Sequence, residues 1–200
     1  MFQLRIHGRG GQGVVTAAEL VAVAAFLDGK YAQAFPSFGS ERMGAPVMAF
    51  CRISERAIRL REPVMKPDAL IIQDPTLLHQ VDLFTGLSPS GYLLLNTSQE
   101  PHRLGLDDLM ARLPAAHIRA VPATEIAFKQ TGRPIPNAAL IGGLAALTGW
   151  VTLESVRKAI SQKFSGRVGA ANAAAAQAVY EAVRSSRTAS ERERTHAVAD

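Results

Sequence analysis

Residues 8–13, Gly-Arg-Gly-Gly-Gln-Gly, are the stretch of this sequence best suited to chemistry. Gly8, Gly10 and Gly13 meet the spacing G-x-G-x-x-G, after a strand-like run and before an apolar helical one. Glycines in those places let the backbone turn sharply and approach a diphosphate, whose charge then meets free amides at a helix N-terminus. Gly11 adds room, and Arg9 would supply a cation. A tight strand-to-helix turn needs the same glycines without any ligand. The spacing alone therefore leaves anion binding and a structural turn both open.

An NAD site of the usual kind also needs an acid ~20 residues past the loop, at the end of the second strand, for the ribose hydroxyls. The position holds Gln33, with Asp28 and Glu41 only flanking that strand. No other constellation rises to a catalytic motif. His7, His79, His102, His117 and His196 lack metal-ligand spacing and read as surface or capping residues. Ser37, Ser40 and Ser54 lack a nucleophile-elbow pattern. Cys51, inside an apolar run, reads as an inert core thiol. No catalytic residue and no metal ligand is expected on this chain.

The elements that must position the loop follow from periodicity. Residues 2–7 read as the first strand and Val14–Leu27 as a helix apolar around most of its circumference. Residues 31–35 and 46–53 are strand-like, and 57–60 are expected to pair with the latter as a hairpin. Continuous apolar runs at 69–73, 92–95 and 118–121 mark strands covered on both faces. Helices are expected over 123–130 and 137–148, after Thr152 with Leu153, Val156, Ile160 and Phe164 on one stripe, and from Asn172 to Arg184. The pattern predicts one three-layer α/β/α domain over residues 1–185, its sheet mixed but mostly parallel, with a Rossmann-like start. Residues 186–200, polar and charged without periodicity, are expected to be a flexible tail.

Composition sets the limits. The chain has 200 residues, 48% hydrophobic and 20% charged, which suits one globular domain with its own core. A single cysteine excludes an internal disulfide and an iron–sulfur cluster held by this chain alone. The net charge of +5 is scattered and aromatics are 6%, so no nucleic-acid surface is expected. The longest apolar stretch, Val14–Leu27, is interrupted by Thr16 and Glu19 and is too short to span a bilayer. The chain starts directly on a strand pattern without signal-peptide architecture, and a cytoplasmic protein is expected.

Two segments together resemble one family. Residues 6–18, Ile-His-Gly-Arg-Gly-Gly-Gln-Gly-Val-Val-Thr-Ala-Ala, resemble the opening of the gamma subunit of the pyruvate:ferredoxin oxidoreductases. Residues 35–47, Phe-Pro-Ser-Phe-Gly-Ser-Glu-Arg-Met-Gly-Ala-Pro-Val, resemble that family's second signature. The run Val64-Met65-Lys66-Pro67-Asp68, the pair Gln73-Asp74 and the small-residue helix after Pro136-Asn137 fit the same pattern.

The resemblance implies oxidative decarboxylation of a 2-oxoacid on thiamine diphosphate with Mg, held by alpha and beta subunits. It implies 4Fe-4S clusters on a delta-type subunit, ferredoxin as acceptor, and coenzyme A taking the acyl group. The gamma chain is then a non-redox subunit, inactive alone, that helps bind coenzyme A and assemble the complex. Gly8, Gly10, Gly11, Gln12 and Gly13 would form the coenzyme loop, Ser40 would belong to it, and Arg9 or Arg42 would supply charge. Glu41 paired with Arg42, bracing the loop or a subunit interface, is the structural alternative. The Gly-Ala-Pro-Val form resembles the pyruvate branch, although Met43 stands where that branch often carries a basic residue. An aromatic 2-oxoacid such as phenylglyoxylate, with an NAD-reducing subunit as acceptor, is the other substrate reading. A purely structural subunit and a self-contained nucleotide-binding protein are the other functional ones.

Overall fold

A computed structural model describes the backbone of residues 1–37 and 43–197, with side chains through residue 186. Six strands form one sheet in the order β2-β3-β1-β4-β5-β6. They are β1 (Phe2–Arg9), β2 (Tyr31–Pro36), β3 (Pro46–Ser54), β4 (Ala69–Ile72), β5 (Tyr92–Asn96) and β6 (Ile118–Val121). Neighbours among β1, β4, β5 and β6 pair in parallel, while β3 runs antiparallel to both β1 and β2. The mixed, mostly parallel α/β sheet expected from the sequence is present.

Helices α1 (Val14–Leu27), α2 (Asp107–Arg112), α3 (Ala123–Thr131), α4 (Asn137–Thr148), α5 (Leu153–Lys163) and α6 (Gly166–Ala197) flank it. Side-chain alternation sends Leu4, Ile6, Ala69, Ile71 and Leu94 into a core with α1, α3, α4, α5 and α6. Leu70, Ile72, Leu93 and Leu95 point the other way, against Leu77, Leu83, Leu106, Leu109 and Leu113. That second face is covered by short 3-10 turns and by α2, which no periodicity signalled. Burial on both faces is why these strands read as continuous apolar runs. The small residues of α4 serve close packing: a Cβ on Gly142 would collide with the Ala176 carbonyl of α6.

Four expectations need correction. Residues 57–60 form no strand, because both edges of β3 are already paired, to β1 and to β2. The last helix begins at Gly166 rather than Asn172, and the Asn172 amide bonds back to the Val168 carbonyl within it. The same helix runs through Ala197, across most of the segment read as a tail. No Gly or Pro interrupts the chain after Gly169. His7 is a core residue, not a surface or capping one. The residue is 3% exposed, and burial, then the Arg5 charge, push its pKa down to about 3 against the pull of Asp82.

Candidate functional site

The chain leaves β1 at Arg9 and enters α1 at Val14. The turn between them takes Gly11 and Gly13 at φ 94° and 71°, a left-handed region that favours glycine. Gly13 is the helix N-cap and has no side chain to bond back, so the cap is open. The first backbone bond inside α1 runs from the Ala17 amide to the Gly13 carbonyl at 2.9 Å. The preceding amides of Val14, Val15 and Thr16 thus face outward at the positive end of the helix, whose first turn holds no acid. Packing also restricts the turn. A Cβ at Gly8 would stand 2.6 Å from Val14 Cγ2, and one at Gly13 would collide with the Asn137 side-chain amide.

Other groups that the sequence offers to a ligand are engaged within the protein. The Gly10 amide donates to Ala45 O at 2.9 Å, and Gly44 N donates to Gly10 O at 3.0 Å. The Gln12 amide donates to Arg9 O. Its side chain accepts from Arg9 N at 2.8 Å and donates to Asp74 Oδ2 at 2.9 Å. Arg9 pairs with the Asp74 carboxylate at 3.1 Å and donates also to Thr76 Oγ1, Gln80 Oε1 and Gly44 O. Ser40 and Arg42, with Glu41, lie outside the described residues.

Asp74 stands where the parallel neighbour of β1 ends, since β4 and not β2 lies beside β1. Asp74 therefore stands on the side of β1 opposite to the strand that follows α1, the strand on which a dinucleotide fold carries its ribose acid, and Gln33 sits on the far side of β3. The Asp74 carboxylate is occupied by Arg9, Gln12 and Thr76. Burial pulls its pKa upward, but hydrogen bonds from Thr76 and Gln12 and the Arg9 charge hold it below the usual carboxylate value.

Beside Gly11, Gly13 and Thr16 opens a cleft of about 480 Å³. Gln130, Arg133, Asn137, Phe164, Arg167, Val168 and Asn172 are among its other lining residues. Among the described residues neither the Arg133 nor the Arg167 guanidinium has a protein partner, and no Asp or Glu lines the cleft. The starts of α4 and α6 flank it, and neither carries an acid in its first turn. Two free cations, the open end of α1 and the apolar surfaces of Phe164 and Val168 together suit a phosphorylated organic ligand. Sequence reading missed Arg133 and Arg167, which no local spacing connects to the loop.

Cys51 is fully buried, and burial pushes its thiol up to about 12. Among the described residues no group of His, Cys, Asp and Glu is arranged to hold a metal ion, and no helix is long and apolar enough to cross a membrane.

The chain is similar to known proteins over most of its length. The family described as "Pyruvate ferredoxin/flavodoxin oxidoreductase" matches residues 3–182. The "Pyruvate/ketoisovalerate oxidoreductases common subunit gamma" of Pyrococcus abyssi is 46% identical over 181 residues, 90% of this chain and 96% of that protein. The crystal structure of pyruvate oxidoreductase subunit PORC from Thermotoga maritima superposes with a TM-score of 0.75 at 38% identity, covering 90% of this chain and 95% of that one. A 2-oxoglutarate:ferredoxin oxidoreductase from Magnetococcus marinus, described with 2-oxoglutarate, coenzyme A and succinyl-CoA bound, shares the fold. Its TM-score is 0.69 at 19% identity, over 90% of this chain and 31% of that one.

Proposed function

The chain belongs to the pyruvate ferredoxin/flavodoxin oxidoreductase family, as a gamma-type subunit of a pyruvate/2-oxoacid:ferredoxin oxidoreductase, and from that premise we propose that it binds part of coenzyme A in the cleft beside its glycine loop. The observation that carries this reading is the cleft itself. Arg133 and Arg167 line the same cleft as Gly11, Gly13 and Thr16 at the open N-terminus of α1, and no acid is among its lining residues. Coenzyme A brings a diphosphate and a 3′-phosphate and requires amides and cations, not an acid for ribose hydroxyls. Gly11, Gly13 and the first amides of α1 meet one phosphate group, the two arginines another, and Phe164 and Val168 offer apolar contact. Residues 40 and 42, the rest of the second signature, belong to the same proposal.

The division of labour follows. Thiamine diphosphate with Mg, when bound on the alpha and beta subunits, supplies the decarboxylation chemistry, and clusters on a delta-type subunit pass electrons to ferredoxin. This chain contributes coenzyme affinity and assembly surface, and is inactive alone. Pyruvate is the substrate that the Gly-Ala-Pro-Val form favours. Support for the coenzyme comes from the Magnetococcus marinus enzyme, described with coenzyme A bound, whose domain shares this fold.

The test is steady-state kinetics of the assembled oxidoreductase carrying R133Q or R167Q. Each substitution raises KM for coenzyme A and leaves coenzyme-independent decarboxylation unchanged. A KM unchanged in both variants, with assembly intact, refutes the reading in favour of a purely structural subunit.

A further inference from the structure

We propose that Arg9 is a positioning residue, which holds the glycine loop against residues 43–45 through Asp74 and Gly44 and touches no ligand itself. The inference rests on the coenzyme reading for its kinetic consequence, though not for its geometry.

Arg9 is the cation nearest the loop in sequence, and its guanidinium faces the protein. Nε lies 3.1 Å from Asp74 Oδ2 and 3.3 Å from Thr76 Oγ1. Nη2 reaches Thr76 Oγ1 at 2.6 Å and Gln80 Oε1 at 2.9 Å, and Nη1 donates to Gly44 O at 3.0 Å. Gln12 closes the ring, accepting from the Arg9 amide and donating to the same Asp74 oxygen. Three parts of the chain, distant in sequence, are thereby joined: the loop, the end of β4 with its following 3-10 turn, and the described end of the second signature.

The tie to residues 43–45 is double. Besides the Arg9 bond to Gly44 O, Gly10 exchanges backbone bonds with Gly44 and Ala45. Gly10 leads directly into Gly11, which lines the cleft. A guanidinium in this position fixes where the cleft wall stands, because its planar fork sets several acceptors at once. Lysine, a point charge on a flexible stem, cannot span Asp74, Gly44 and Gln80 together.

The sign of one substitution separates positioning from direct contact. If Arg9 acts through Asp74, then D74N loosens the clasp and raises KM for coenzyme A, as R9Q does. If Arg9 bound a phosphate, D74N would free it and leave KM unchanged or lower. In the assembled oxidoreductase both variants are expected to raise KM about tenfold with kcat nearly constant. The double variant R9Q/D74N is expected to be no worse than the worse single, because both remove one device.

Hydrogen exchange of the Gly10 and Gly44 amides is the readout that does not depend on coenzyme. It speeds up in both single variants. An unchanged KM in D74N beside a raised one in R9Q, additive effects in the double, or unaltered exchange at Gly10 and Gly44 overturns the proposal. Where D74N fails to assemble, T76V serves in its place, since it removes the hydroxyl that accepts two Arg9 bonds; a raised KM supports the clasp and an unchanged one overturns it. R133Q and R167Q in the same assay keep the two claims apart. If they leave KM unchanged, the coenzyme reading fails and exchange alone judges the clasp; if they raise KM while D74N does not, the clasp alone fails.

Discussion

The thioether sulfur of Met43 occupies the space into which a side chain at Gly11 would extend. Met43 is otherwise 86% exposed, so the contact is a local one between the two signature segments. It changes what a substitution in the loop reports. Gly11 lies at φ 94°, where an L side chain costs about 1–2 kcal/mol before any collision. Gly11→Ala is therefore expected to lower the stability of the chain by at least that amount. In a Met43→Ala background the same substitution costs less, because only the backbone penalty remains. Denaturant melts of the four proteins measure the difference; equal costs in both backgrounds would contradict the contact.

Asp28, at the C-terminus of α1, binds the N-terminus of α5. Its carboxylate accepts from the Thr152 amide at 2.8 Å, from Thr152 Oγ1 at 2.8 Å and from Ser155 Oγ at 2.6 Å. Burial raises its pKa, but the bonds from Ser155 and Thr152 and the Lys30 charge outweigh it, and the net shift is downward. A carboxylate with a depressed folded pKa adds stability that is fully present above the unfolded value of about 3.9 and is lost as pH falls through the lower folded value. Asp28→Asn removes that component, so the acid limb of the stability curve below about pH 4 becomes shallower. Thr152→Ala, which deletes the cap to Ser155 N, is expected to cost about 1 kcal/mol. An acid limb unaltered by Asp28→Asn would show that the carboxylate is not linked to folding.

How much of this was legible in the sequence differs by residue. The strand-loop-helix unit is local, and its periodicity and glycine spacing were enough to place it. Arg133 and Arg167 were invisible as cleft residues because only the packing of α4 and α5 on α1, and of α6 on α4 and α5, brings them to the loop. Arg9 was legible as a cation but not as an engaged one, since its partner Asp74 is separated from it by 65 positions. Apolar runs revealed the buried strands and not their order. The order matters twice: it places an acid next to the loop at Asp74 instead of position 33, and it closes β3 to the hairpin expected at 57–60.

Cys51 lies in β3 with no exposed surface, and its raised pKa leaves almost no thiolate near neutrality. An aromatic disulfide reagent is expected to leave the folded chain unlabelled and to modify one thiol per chain once denaturant is added. Rapid labelling of the folded protein would mean that β3 opens readily.

Residues 186–200 carry few apolar side chains to bury. A chain ending at residue 185 is expected to assemble with its partners as the full chain does. Loss of assembly, followed by size-exclusion chromatography, would make the end of α6 a docking arm.

Calorimetric titration of coenzyme A into the assembled oxidoreductase, with and without the double substitution R133Q/R167Q, bears most directly on the cleft. Losing one or two charge-assisted hydrogen bonds to phosphate, at about 1.5–3 kcal/mol each, weakens binding by roughly ten- to a hundredfold or more. The account predicts a Kd raised by at least about tenfold in the double variant. A Kd equal to that of the unsubstituted complex, with subunit composition unchanged, would contradict it and leave the loop as a structural turn.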